Sequence, residues 1–142
     1  MYLTKKALFN HLENELYCRL GASTTHGVGV FAFRSIPSGI NPFKSWLDIK
    51  ELHYSVEEIK ALPPNTIELL NTFCYHSEDT VCVPVVGLNV VNISVYINHS
   101  KKPNLEALFH RGGVWFHTLR TIKKGEELTF NYGFDPVKPK KK

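Results

Sequence analysis

Apolar residues near the start of the chain recur every fourth position, at Leu8, Leu12 and Leu16. With Thr4 as a side-chain cap, that spacing predicts a helix from residue 5 to about 15. Short strands are predicted next at 17–20 and 30–34, separated by a loop that begins Gly21-Ala22-Ser23-Thr24-Thr25. Ser55 followed three residues later by Glu58 is a capping box, so a helix starts there and Pro63-Pro64 ends it. Ile67, Leu70 and Phe73 mark one face of a second helix over 65–73. Strand patterns return at 80–86, 105–110 and 114–119, the last two joined at Gly112-Gly113 as an antiparallel pair. The run 91–96 alternates, with Val91, Ile93 and Val95 on one side and Asn92, Ser94 and Tyr96 on the other. It predicts a half-buried strand.

A repeat overlays these elements. Phe33-Arg34-Ser35-Ile36-Pro37-Ser38-Gly39-Ile40 returns as Leu119-Arg120-Thr121-Ile122-Lys123-Lys124-Gly125-Glu126. Both read as strand, turn, strand, with glycine where a positive φ is expected. Two such corners, far apart in the chain, point to short sheets folded against each other.

Composition narrows the class. With 142 residues, 43% of them hydrophobic and 21% charged, the chain is expected to form one domain around its own core. No apolar run approaches the roughly 18 residues of a membrane span, and the N-terminus lacks a secretory pattern. An intracellular location is expected, cytoplasmic or nuclear. Cys18, Cys74 and Cys82 include no Cys-x-x-Cys pair. Cys74-x-His76 with Cys82 lacks a fourth ligand, so no metal is expected. The net charge of +4 resides in Lys138, Lys140, Lys141 and Lys142, leaving a neutral body. Residues 136–142 therefore read as a solvated basic tail rather than a nucleic-acid contact.

Candidate chemistry begins at Ile97-Asn98-His99-Ser100-Lys101-Lys102-Pro103-Asn104, where a core segment turns abruptly polar. Alone, it reads equally well as a structural turn, since such side chains bond local backbone. Gly27-Val28-Gly29-Val30-Phe31-Ala32 fits the dinucleotide pattern G-x-G-x-x-A, but no apolar strand precedes it and Pro37-Ser38-Gly39 breaks any helix after it. A third stretch, Gly125-Glu126-Glu127-Leu128-Thr129-Phe130-Asn131-Tyr132-Gly133, changes the weighting. In order and spacing, the three resemble the motifs of the SET-domain protein-lysine methyltransferases, over residues 17–135.

The resemblance implies a mainly β chain of the β-clip (SET-domain) fold, with several short sheets, an N-terminal helix and a small helical insert over 55–73. The SET-like domain is expected over residues 1–135, without the cysteine clusters many relatives carry on either side. It implies methyl transfer from S-adenosylmethionine to a protein lysine. Tyr132 corresponds to the catalytic tyrosine. His26, Gly27, Val28, Gly29, Asn98 and His99 correspond to cofactor-binding positions, Asn98 at the methionine end and His99 meeting adenine largely through its backbone. Tyr132 would also border the cofactor, and Phe134 would offer adenine an aromatic surface. Phe130 and Tyr96 are candidate walls of a lysine channel, and a phenylalanine at 130 implies room for more than one methyl. Pro103 and Asn104 are expected to shape the turn. The rival reading is a catalytically inactive SET-like binding module.

Overall fold

The computed structural model describes residues 4–44, 50–110 and 113–133. In chain order, helix α1 (Lys5–Asn14) precedes strands β1 (Cys18–Ala22), β2 (Val28–Ala32) and β3 (Glu51–Ser55). Helices α2 (Val56–Lys60) and α3 (Pro64–Phe73) follow, then β4 (Tyr75–His76), β5 (Thr80–Pro84) and β6 (Asn98–His99). The hairpin β7 (Leu105–His110) and β8 (Gly113–Thr118) leads to β9 (Glu127–Phe130). The strands make three small sheets, ordered β1-β2-β9-β6, β3-β5-β4 and β7-β8. This is the mainly β, SET-type arrangement the motifs imply.

Local signals act as expected. Thr4 Oγ1 accepts from the Ala7 amide at 3.1 Å, and Ser55 and Glu58 close a reciprocal capping box around the start of α2. Pro64 takes the first position of α3, where its missing N–H costs nothing. The stripe on α1 is another matter: the helix forms, yet none of its residues is buried. It is held at its C-terminal end, where Arg34 Nη1 donates to the Glu13 carbonyl at 3.2 Å and the guanidinium lies 4.5 Å from the Tyr17 ring centroid.

The two similar corners pair with each other. Ile36 and Ile122 form an antiparallel bridge, exchanging backbone bonds of 2.8 and 2.9 Å, and both side chains are fully buried. Gly39 and Gly125 take φ of 78° and 90°, the left-handed region that favours glycine. Around this bridge Val30, Ala32, Ile97, Leu105, Phe116 and Leu128 complete the main core. A satellite core of Ile59, Ile67, Leu70, Cys74 and Val81 holds the insert together.

One expected strand is absent. Residues 91–96 form no strand; Ile93–Tyr96 make a 3-10 turn, started by Asn92, whose side chain accepts from the Ser94 amide at 2.9 Å. In such a turn i and i+3 eclipse, so Ile93 and Tyr96 share a side and both pack on the main core. The sides assigned by alternation are therefore wrong: a local Asx bond outcompeted a six-residue period.

Candidate active site

Strand β9 assembles the site because it lies between β2, antiparallel to it, and β6, parallel to it. That placement brings three distant segments together. Asn98, on β6 and only 8% exposed, donates from Nδ2 to the carbonyls of His26 (3.0 Å) and Val28 (3.2 Å) and to Glu127 Oε1 (2.8 Å). Two amide hydrogens thus serve three acceptors, one of them a carboxylate. The other Glu127 oxygen accepts from Ser23 Oγ at 3.0 Å, and Ser23 Oγ in turn accepts from the amides of Thr25 and His26. His26, Gly27 and Val28 are left as an exposed rim over a polar floor.

The two glycines do different jobs. Gly27 has φ 47° and open space where a Cβ would stand. Gly29 is buried, and a Cβ there would fall 2.2 Å from Glu127 Oε1. Gly29→Ala is therefore expected to push aside a carboxylate that Ser23 and Asn98 both hold, lowering stability by about 1–3 kcal/mol. Urea unfolding of the single and double variants checks this: the penalty should shrink in a Glu127→Ala background, and an unchanged penalty would show that the clash is not with Glu127.

Tyr132 follows the end of β9. Its amide donates to His99 Nδ1 at 3.1 Å, which in the neutral ring leaves the proton on Nε2. Its hydroxyl donates to the Ile97 carbonyl at 2.5 Å. Burial pushes the phenol above its ordinary value, so the group stays protonated at neutral pH. The ring lies 4.7 Å from that of Phe130 and 5.3 Å from that of His99. Phe130 continues to Phe116 at 5.1 Å, and Phe116 to Phe43 at 5.8 Å, both edge-on. An aromatic row thus runs inward from the tyrosine hydroxyl.

Of the residues singled out by sequence, His26 to Gly29, Asn98, His99, Phe130 and Tyr132 meet here. Tyr96 packs its ring on Phe73 of the insert, at 5.3 Å, linking α3 to the main core. Phe134 and the lysine tail lie outside the described residues. Asn104 bonds the backbone of β9, donating to the Glu127 carbonyl (2.8 Å) and accepting from the Thr129 amide (2.9 Å). Sequence reasoning missed Ser23, Glu127, Phe43 and Phe116. Of the adjacent pair Glu126-Glu127, only strand register separates the one bound to Arg120 on the surface from the one under the rim. The imagined Cys74-x-His76 and Cys82 grouping does not form: among the described residues Cys82 clusters with Glu51 and His53, while His76 is buried with Nε2 3.4 Å from the Leu70 carbonyl.

No helix among the described residues is long and apolar enough to cross a membrane. A family model for the SET domain matches residues 27–133. Among solved structures, the fold matches a Plasmodium falciparum chain named as a candidate histone methyltransferase. The two share 20% identity with a TM-score of 0.53, over 84% of this chain and 96% of that one. A humanized mutant of the Chaetomium thermophilum Polycomb Repressive Complex 2, with an inhibitor bound, is 26% identical with a TM-score of 0.56. That match covers 89% of this chain but only 16% of the other. No curated protein matches by sequence. The family match spans all three motif segments and most of the chain: this protein belongs to the SET domain family.

Proposed function

We propose that the protein is an S-adenosylmethionine-dependent protein-lysine methyltransferase. One observation carries the reading: Tyr132, the strand end at 97–99 and the glycine loop at 26–28 are joined by hydrogen bonds although they lie far apart in sequence. The residues fit the cofactor. Exposed backbone at 26–28 with open space beside Gly27 lets the amino-acid end approach closely, and the exposed His99 at the adjoining strand end offers backbone to adenine.

When bound, S-adenosylmethionine supplies an electrophilic sulfonium methyl, which passes to the lysine nitrogen as its bond to sulfur breaks. The protein's task is alignment. With its O–H donated as a hydrogen bond to the Ile97 carbonyl, the Tyr132 oxygen keeps its lone pairs to accept from an amine N–H and so directs the nitrogen lone pair. The row of Phe130, Phe116 and Phe43 offers an apolar wall, and burial there favours the neutral amine over ammonium. Phe130 places no hydroxyl beside the amine, which supports transfer of more than one methyl.

The direct test is incubation of the full chain and methyl-labelled S-adenosylmethionine with a mixed protein extract. Label on lysine, located by mass spectrometry, is the expected result. Cofactor binding without any transfer would instead make the chain an inactive module.

A further inference from the structure

Away from the methyl-transfer site, the insert sheet carries a second cluster that the proposed reaction does not use. Strand β3 pairs with β5 so that His53 stands opposite Cys82. Directly opposed residues project to the same face, and Glu51, two positions before His53, shares it. Val81 and Val83 take the other face and pack into the core with α2 and α3. One carboxylate oxygen, one imidazole nitrogen and one thiol sulfur thus lie within 4.8 Å of one another. Among the described residues, none of the three side chains has a hydrogen bond or salt bridge. Yet Glu51 is half-buried, its carboxyl held above the usual range by that burial. A desolvated carboxyl beside an imidazole and a buried thiol, all without bonding partners, is an arrangement a cation would satisfy.

We propose that Glu51, His53 and Cys82 form a zinc site that staples β3 to β5, with water in the fourth position. Mixed nitrogen, oxygen and sulfur donors suit zinc and not calcium or magnesium, which take oxygen alone. Tetrahedral zinc wants ligand atoms about 3.3–3.8 Å apart, so closure requires movement of about 1 Å. His53 and Glu51 are exposed enough to make it. Burial raises the Cys82 thiol to about 11 in the absence of metal, so binding releases its proton. The staple would fix the insert independently of cofactor.

Chelator-treated full chain, titrated with zinc sulfate by calorimetry, is expected to bind one equivalent and to melt at higher temperature. Cobalt(II) chloride should produce a thiolate-to-metal charge-transfer band. Cys82→Ser should abolish that band, whereas Cys18→Ser, on β1, should leave it intact. Glu51→Gln and His53→Ala, which leave both cores untouched, should each weaken zinc by about tenfold or more. Absence of uptake by the unmodified chain overturns the proposal. So does zinc affinity unchanged in both Glu51→Gln and His53→Ala, or a charge-transfer band that survives Cys82→Ser.

Discussion

Tyr132→Phe is expected to lower methyl transfer by about a hundredfold or more, the scale of a positioned hydroxyl in a transition state, while S-adenosylmethionine affinity stays within a few-fold. Phenylalanine keeps the ring contacts with Phe130 and His99 and the backbone bond to His99 Nδ1. The bond to the Ile97 carbonyl is lost, at a stability cost of about 1 kcal/mol. Fold and cofactor rim therefore survive, and the loss should appear in turnover. Single-turnover kinetics with calorimetric binding separates the two. A variant that turns over normally would remove Tyr132 from the mechanism. The pH profile is a further check. Because burial holds the phenol above its ordinary value, no ionisation of Tyr132 should be visible near neutral pH. Activity should instead rise as the substrate lysine loses its proton.

Asn98→Ala should act on binding. It removes three hydrogen bonds at once and leaves the Glu127 carboxylate with Ser23 as its side-chain donor. A bond to a charged group is worth about 1.5–3 kcal/mol, so stability should fall by at least that much. Cofactor affinity should fall by about tenfold or more, since the carbonyls of His26 and Val28 lose the amide that fixes the rim. Ser23→Ala serves as a comparison: it loosens Glu127 from the other side, leaves Asn98 in place and should cost less on both counts. Calorimetric titration below the unfolding temperature reads affinity and stability apart. An Asn98→Ala protein with unaltered cofactor affinity would make the residue purely structural.

How far the sequence could be read depended on the range of the interactions involved. The caps at Thr4 and at Ser55 with Glu58 were legible because their donors and acceptors lie within four residues. So was the antiparallel pairing of β7 with β8. The three motif segments were legible as a set, since their order and spacing carry more information than any single residue. The 3-10 turn at Ile93–Tyr96 was not, because a short alternating run does not show whether Asn92 will bond its own backbone.

The sequence by itself determined most of the short pieces and the three SET motif segments. The tertiary structure alone decided which of their residues touch. Insertion of β9 between β2 and β6 chose Glu127 over Glu126 for the place under the glycine loop. The register of β3 on β5 put Glu51 and His53, not His76, beside Cys82. Tertiary packing also left the leucines at 8, 12 and 16 exposed despite their helical spacing. The physical reason is that strand pairing joins residues by register, and shifting a strand by one position reverses every side chain on it.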